Sequence, residues 1–501
     1  MMKKDSALTV SAARLLGGVA ISAVMTGAAA AQSISDTIVV TSQRTEQSLQ
    51  DVPISVSAFG GEDLQARQLE SFQDIQFNIP NFAFSRTQFT GSAVGIRGVG
   101  NFVVASSSES AVSVHMNDFF LDAPRLFETE FFDIERLEIL RGPQGTLFGR
   151  NATAGVINVI TAKANPDEVE AYADAEYGNY NAVKVHGALN VPVSETFALR
   201  VAGTVIQRDG YMENVFTGRD IDDRDIYAVR GSARWYPTDD TTLDIVASYM
   251  QEDDNRSRHQ KQACEAGPLQ PVLGCDPNGP RAFDVQDQRA TFLVNNSAEA
   301  FGALFAPAAA AFGLYSLGAN PVGEPQPESL RQVAWDTDPE YYADETIFMA
   351  NLRHDFDSFT VKITGGYGES DIATRTDFDG GVGPEFTVPA ALFAPASLGG
   401  LPGVAALYSD GLFPISEFDV GVGGLPDGRV GVIGGRIQDR TSRYRATDFS
   451  IGDTEYWSVE GIINTSFDGP LNFLLGVNHL ESDGFANYGV ATSGLDYFSL
   501  D

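Results

Sequence analysis

Residues 134–163 read IERLEILRGPQGTLFGRNATAGVINVITAK, and this stretch decides the fold of the chain. It opens with the alternation of a strand, is interrupted by glycines, and closes on a run rich in β-branched residues. Glycines so placed predict tight turns or close backbone contacts. The run from Ile157 to Ile160 predicts a buried strand. Arg141 and Arg150 stand beside the turns, where a buried guanidinium requires a carboxylate partner.

The whole stretch resembles the end of the plug domain of TonB-dependent outer-membrane receptors. Residues 94–100 (VGIRGVG) resemble another plug pattern of that family and carry Arg97 between glycines. The turn Asn117-Asp118-Phe119 departs slightly from the Val-Asp-Gly that the family often has. The resemblance implies a mainly β fold, with an N-terminal α+β plug domain inside an antiparallel transmembrane β-barrel that is incomplete in this chain.

Composition agrees with extended β-structure and excludes one class of partner. The 501 residues include 50 glycines and 10% aromatic residues, and no long apolar span follows the N-terminus. The formal net charge of −34, without a basic patch, argues against nucleic-acid binding through phosphates. The five histidines are scattered, and no catalytic or metal-ligating spacing is visible. We therefore expect no enzyme activity, no metal site and no resident cofactor.

The N-terminus predicts export from the cytoplasm. Residues 1–31 combine early lysines, an apolar run over 15–26 and small residues before Gln32, as a secretory signal peptide does. In an oxidising compartment, Cys264 and Cys275 predict a disulfide that closes one small loop. A metal pair completed by His259 is the alternative.

The next segment reads DTIVVTS and predicts a short, β-prone strand near a mobile terminus. Such a segment can add to the exposed sheet edge of another protein, although an ordinary first strand is the alternative. Its place between a signal peptide and a plug-like region favours the first interpretation. It is similar to the family's TonB box, which implies binding to TonB through Asp36, Thr37, Ile38, Val39, Val40, Thr41 and Ser42.

After residue 168, strand-length segments alternate between apolar and polar residues, for example over 197–205 and 457–463. A soluble sandwich would turn the apolar face inward, whereas a membrane barrel turns it outward to lipid. Short connections near 190–195, 236–241, 356–359 and 467–470 alternate with long ones over 207–224, 252–343 and 370–454. A barrel with short periplasmic turns and long outer loops shows this alternation, and a sandwich has no reason to.

The predicted organisation is a signal peptide over 1–31, a periplasmic segment with the TonB box over 32–44, a plug domain over 45–165, and barrel strands with long outer loops over 166–501. About nine barrel strands are predicted, whereas bacterial single-chain barrels have an even number. The chain also ends in Phe-Ser-Leu-Asp rather than in a strand with a terminal aromatic residue. We therefore expect a C-terminally truncated fragment with open strand edges.

The resemblance implies a gated receptor and transporter in the cell outer membrane, energised by TonB and its inner-membrane complex and surrounded by outer-membrane lipid. It carries a small-molecule ligand, for which a ferric siderophore is our expectation. Vitamin B12, oligosaccharides and aromatic compounds are alternatives, and a passive porin and a secreted adhesin are rival classes. The predicted plug apices offer aromatic, polar and hydroxyl side chains to the ligand, although a serine-rich loop without a ligand role is the alternative. These residues are Phe84, Arg86, Gln88, Phe89, Phe102, Ser106, Ser107 and Ser108.

The resemblance also implies an ion-pair latch between plug and barrel. Arg97 and Arg141 are the plug arginines that pair with barrel carboxylates in the family. Glu460 is their expected partner, because it alternates with the outward residues Trp457 and Val459 and so faces inward. A purely structural ion pair is the alternative to a switch.

Overall fold

A computed structural model describes residues 39–86, 92–100, 109–122, 131–257, 327, 329–378, 380–382, 413–417, 436–441 and 445–492. Several predictions lie outside these ranges: the signal peptide, residues 36–38 of the TonB box, the disulfide, and the apex residues Gln88, Phe89, Phe102 and 106–108. In the ranges that the structure does describe, no helix is long and apolar enough to cross a membrane.

The N-terminal part combines short strands with three short helices. Its elements are β1 Val39–Val40, β2 Gln47–Ser48, β3 Val56–Gly60, α1 Gly61–Ala66, α2 Phe72–Ile75, β4 Phe82–Arg86, β5 Ser92–Ile96, β6 Val99–Gly100, β7 Val112–Met116, β8 Phe119–Phe120, β9 Ile134–Arg141, α3 Gly145–Phe148 and β10 Gly155–Thr161. The main sheet has the order β3-β9-β10-β7-β8. Two smaller sheets, β1-β2 and β4-β5-β6, complete this α+β region.

The opening stretch forms the centre of the main sheet. Strands β9 and β10 pair antiparallel, and every residue of β10 is buried. The glycines between them are needed as predicted. A Cβ added to Gly155 would lie 2.3 Å from the carbonyl oxygen of Leu140, and Gly142 has φ 126°. Both positions therefore disfavour any larger residue.

Helix α1 ends at Ala66. Gln68 adopts a left-handed φ of 54°, which stops the helix. The amide of Leu69 then donates to the carbonyl of Leu64, and both side chains are buried. This is a Schellman ending stabilised by its apolar contact, which helical periodicity alone does not reveal.

The rest of the described chain forms a wall of long antiparallel strands and one small separate sheet. Its elements are β11 Glu170–Tyr177, β12 Val183–Ser194, β13 Phe197–Arg208, β14 Met212–Asn214, β15 Arg219–Ile221, β16 Arg224–Thr238, β17 Thr241–Asp254, β18 Gln332–Val333, β19 Glu340–Phe356, β20 Phe359–Asp377, β21 Phe413–Glu417, β22 Arg436–Thr441, β23 Ala446–Thr465 and β24 Leu474–Thr492. The wall has the order β11-β12-β13-β16-β17-β19-β20-β23-β24-β21-β22, and the small sheet has the order β15-β14-β18. Nine of these strands follow one another as a meander, which confirms the predicted number, and the hairpin β21-β22 extends it.

Two predicted limits in the wall are wrong. The long connection predicted over 370–454 is shorter, because β20 continues to Asp377 and β23 begins at Ala446. The strand predicted from residue 471 begins only at Leu474. The amide of Phe467 donates to the side-chain oxygen of Asn472 at 2.6 Å, which holds the preceding residues in a turn.

The faces of the wall follow the membrane-barrel pattern. Leu199, Trp457 and Val459 are 40–45% exposed on the outer face. Arg200 and Arg230 are buried against the plug on the inner face. The apolar side of each strand therefore points away from the plug, as a lipid-facing surface requires.

Candidate functional site at the plug–wall boundary

Arg44 lies where the N-terminal segment, the plug and the wall meet. Its side chain is 2% exposed, and its Nη2 atom lies 3.2 Å from Oε1 of Glu460 in β23. Its Nη1 atom lies 3.5 Å from Oδ1 of Asp118. The Nε–H group donates to the carbonyl of Leu147 at 3.0 Å, and the guanidinium carbon lies 4.2 Å from the ring centre of Phe148. One side chain thus connects three parts of the molecule.

Asp118 is the second centre of this group. It occupies the turn after β7, where Asn117 and Asp118 have left-handed φ values of 49° and 69°. Its carboxylate accepts hydrogen bonds from Lys362 of β20 and, at 3.0 Å, from Nδ2 of Asn158. Burial alone would raise the pKa of Asp118, but the charges of Lys362 and Arg44 outweigh burial and hold that pKa below its usual range. We call Arg44, Asp118, Lys362 and Glu460 the Arg44 cluster.

His115 lies beside this cluster as a buried histidine of β7. Its Nε2 atom is 2.9 Å from the hydroxyl of Ser113, and its Nδ1 atom is 3.3 Å from the carbonyl oxygen of Asp118. Burial, assisted by the charge of Arg44, lowers the pKa of His115 from 6.5 to about 3. The imidazole is therefore neutral at pH 7.

Glu460 has an ion-pair partner other than the two predicted arginines, and its role in a latch stays a prediction. Glu460 faces inward and is 16% exposed, but its partner is Arg44 rather than Arg97 or Arg141. Within the described ranges neither of those arginines forms an ion pair, and Nε of Arg141 is buried without a hydrogen-bond partner. Arg141 pairs with Gly155 at the beginning of β10, whereas the Asn158 that holds Asp118 lies further along that strand. Arg141 is therefore paired three residues away, along β10, from the residue that binds Asp118.

Arg150, the other arginine of the opening stretch, is not buried. Its side chain is 43% exposed and lies 2.6 Å from a carboxylate oxygen of Glu109. It thus has the carboxylate partner that was expected, but at the surface, where such a pair contributes little to stability.

The described half of the predicted TonB box is docked on the plug. Strand β1 pairs with β2, and Val40 and Ser42 are fully buried while Val39 is 46% exposed. The amide of Thr41 donates to Glu138 of β9 at 2.9 Å. This segment is therefore part of the folded plug and not a free tail.

A second charged contact joins plug and wall. Both carboxylate oxygens of Asp133 accept from Arg200 of β13, at 2.6 and 3.0 Å. Arg230 of β16 donates to the carbonyl of Phe132 at 2.9 Å, and its guanidinium lies 4.4 Å from the ring centre of Phe132. The sequence analysis missed this contact, although both arginines occupy inward positions of alternating strands.

An apolar contact also joins plug and wall. Phe119 of the plug stacks on Tyr456 of β23 with ring centres 6.0 Å apart. Glycines of β20 make room for these rings: a Cβ on Gly366 would lie 2.9 Å from Phe119, and one on Gly368 would lie 2.2 Å from Tyr456. The plug thus packs into a recess of the wall that only glycine can provide.

Two of the cavities between plug and wall border the contacts described above. One of about 310 Å³ is bordered by Arg44, His115 and Glu460. The other, of about 1060 Å³, lies between the region of α1 and strands β11 to β13 and is lined by polar residues including Asp174, Lys184 and His186. In the part of the chain that is described, no group of three or more histidine, cysteine or acidic residues is placed to hold a metal ion.

The candidate ligand-binding apices are only partly described. Phe84 lies in β4 and packs, half-buried, against the plug core. Arg86 ends the same strand. The ligand contacts predicted for these residues remain predictions.

The fold and this boundary are similar to the plug domain and the barrel strands of TonB-dependent outer-membrane receptors. Residues 48–156 match the family described as TonB-dependent Receptor Plug Domain. The chain is 28% identical over 193 residues to an iron-regulated outer membrane virulence protein of Vibrio cholerae, which covers 35% of this chain and 28% of that protein. It is 27% identical over 222 residues to the vitamin B12 transporter BtuB of Vibrio vulnificus, which covers 40% of this chain and 35% of the transporter.

Solved structures show the same fold. The ferric preacinetobactin receptor BauA of Acinetobacter baumannii superposes with a TM-score of 0.53 at 10% identity, over 90% of this chain and 50% of that receptor. The pyoverdine receptor FpvA of P. aeruginosa, bound to a ferric pyoverdine, gives a TM-score of 0.52 at 13% identity, over 90% of this chain and 45% of that chain. The chain thus spans about half of these receptors, and about a third or less of the two curated relatives named above. The family consists of transport receptors of the outer membrane rather than enzymes.

Proposed function

We propose that this chain serves TonB-energised uptake of a scarce ligand across the outer membrane, with a ferric siderophore as the cargo. The Arg44 cluster is the observation that supports it. Arg44, two positions after the TonB-box segment, is bound both to the plug and to the wall. A pull on this segment therefore acts on the contacts that keep the plug in place.

In this proposal, the wall end with short turns faces the periplasm and the end with long connections faces outward. Residues 36–42 bind TonB, and residues 45–165 close the barrel until TonB acts. The apex residues contact the cargo, and Cys264 and Cys275 close an outer loop. The relatives named for iron regulation and the solved ferric siderophore receptors support iron as the cargo metal.

The test is uptake by cells under iron limitation. Cells with the natural protein are compared with cells in which residues 36–42 are deleted, and radiolabelled ferric chelates are supplied. The proposal expects uptake to fall to the level of cells without TonB, with unchanged amounts of protein in the outer membrane. Uptake that survives the deletion would indicate a passive pore instead.

A second cargo follows from the vitamin B12 transporter among the relatives. The same cells are given labelled cobalamin in place of ferric chelates. TonB-dependent uptake of cobalamin without uptake of iron would mean that the cargo is the vitamin and not a siderophore. The proposed transport mechanism would stand.

A further inference from the structure

Glu138 stands at the centre of the contact between the N-terminal segment and the plug. It lies in the middle of β9 and is fully buried. Its Oε1 atom accepts the amide N–H of Thr41 at 2.9 Å and the hydroxyl of Thr41 at 3.2 Å. Arg136, two residues earlier on the same strand, donates from Nε to the same oxygen at 2.8 Å. Because a buried carboxylate needs such donors, the segment and Arg136 satisfy Glu138 together.

The contact uses main-chain groups that a strand-forming partner would need. Strand addition depends on free backbone N–H and C=O groups along one edge of the added segment. In this segment Val39 and Val40 already pair with Ser48 and Gln47. The N–H of Thr41 is held by Glu138, and the carbonyl of Thr41 accepts the amide of Arg44 at 2.8 Å. A partner can therefore pair with residues 39–42 only after these bonds open.

We propose that Glu138 is the positioning residue that keeps the N-terminal segment on the plug, so that Val39–Ser42 can join a partner strand only when Thr41 leaves Glu138. This rests on the proposed function, in which the segment binds an extended, strand-forming energy-coupling protein. It assigns the control of that segment to one plug carboxylate, separately from the wall contact made by Arg44. Glu138 belongs to the plug's central strand, so a shift of that strand moves the carboxylate that holds the segment.

The strand offers a matched control. Glu135 lies on β9, like Glu138, and its carboxylate also pairs with Arg136. Its side chain is 39% exposed and has no bond to Thr41 among the described residues. Glu135→Gln therefore changes the same charge on the same strand without touching the segment.

The experiment measures how fast a maleimide modifies a cysteine at position 42 in outer-membrane vesicles without cargo and without TonB. All proteins carry Cys264→Ser and Cys275→Ser, and the reporter is Ser42→Cys, a position that is fully buried. A second reporter, Ala154→Cys, is 3% exposed elsewhere in the plug. We expect Glu138→Gln to raise the modification rate at position 42 at least tenfold and to leave the rate at position 154 unchanged. Glu135→Gln should change neither rate.

Two outcomes would overturn the proposal. If Glu138→Gln leaves the rate at position 42 within twofold, the carboxylate does not hold the segment. If it raises both reporters equally, Glu138 has only a general structural role. If Glu138→Gln does not accumulate, Thr41→Val replaces it as the test variant. This substitution removes the hydroxyl donor to Glu138 and should raise the modification rate at position 42 more than twofold. The measurement needs neither cargo nor TonB, so it can succeed even where the uptake test fails.

Discussion

Arg44 and Glu460 are 416 residues apart in the sequence, and their side chains are 3.2 Å apart in the structure. One belongs to the turn after the N-terminal segment, and the other to the inner face of the barrel wall. Both are largely buried, so solvent does little to screen their attraction. This pair therefore connects the end of the N-terminal segment directly to the wall.

Arg44→Gln should loosen the plug. Removing one partner of a buried ion pair leaves an uncompensated charge and costs about 3 kcal/mol or more. We expect the protection of amides near Arg44 against hydrogen exchange to fall by that free energy in membrane-embedded protein. Arg141→Gln is the control, because Arg141 forms no ion pair within the described ranges. Equal effects of the two substitutions would exclude a special role for Arg44, and a double variant with Glu460→Gln should cost less than the sum of the two single ones.

Acidification should destabilise the plug through His115. Its pKa is 6.5 when unfolded and about 3 in the folded plug, so between these values only the unfolded state binds the proton. The contribution of neutral His115 to the free energy of unfolding is therefore fully present above pH 6.5. It decreases as pH falls, with a limiting slope of about 1.4 kcal/mol per pH unit. Asp118, whose folded pKa is depressed, adds a loss only at pH values below its unfolded pKa of 3.8. Hydrogen exchange at pH 7 and pH 5 measures the effect, and His115→Asn should flatten it. An unchanged slope in that variant would assign the dependence to other groups.

Asp133→Asn tests how much the negative charge of Asp133 contributes to its contact with Arg200. Asp133 has a left-handed φ of 50°, a conformation that asparagine also tolerates, so the backbone is not strained. The substitution should weaken the contact with Arg200 by about 1.5–3 kcal/mol, the range for hydrogen bonds to charged groups. Exchange of the Ala162 amide, which donates to the carbonyl of Asp133, reports the change. Asp167→Asn, in an exposed turn, serves as the control and should leave that amide unaffected.

Gly368→Ala should disrupt the wall, whereas Gly231→Ala should not. The added methyl group at position 368 would lie 2.2 Å from the ring of Tyr456, while nothing lies within 4 Å of one at position 231. Overpacking of this kind typically costs about 1–3 kcal/mol. Heat-resistant folding in detergent, followed by gel mobility, compares the two. If both variants fold equally well, the recess for Tyr456 and Phe119 adapts more easily than the static contact indicates.

Much of the fold follows from local pattern. The alternation around Trp457 and Glu460 predicts their opposite faces, and both are confirmed. The glycines of the opening stretch predict its turns, because a left-handed φ or a close carbonyl leaves no space for a side chain. Strand faces and glycine turns depend only on strict periodicity or on neighbouring residues, so they can be predicted from the sequence alone.

The pairing of Glu460 does not follow from pattern. Alternation gives the face of a strand on which a residue lies, but not its height along the barrel axis. That height depends on the register between plug and wall, which is set by contacts such as Asp133–Arg200. One feature of the sequence could have suggested Arg44 as the partner of Glu460. Arg44 is a cation two residues after a predicted strand, and a polar turn follows it.

Three connections at one end of the wall, 195–196, 239–240 and 357–358, are only two residues long, and each joins strands that are neighbours in the sheet. Turns this short fix the register of the strands they join. Three connections at the opposite end, 209–223, 255–339 and 378–445, are much longer. The free-energy cost of closing a loop grows only slowly with its length, so we expect insertions there to be tolerated without a new scaffold.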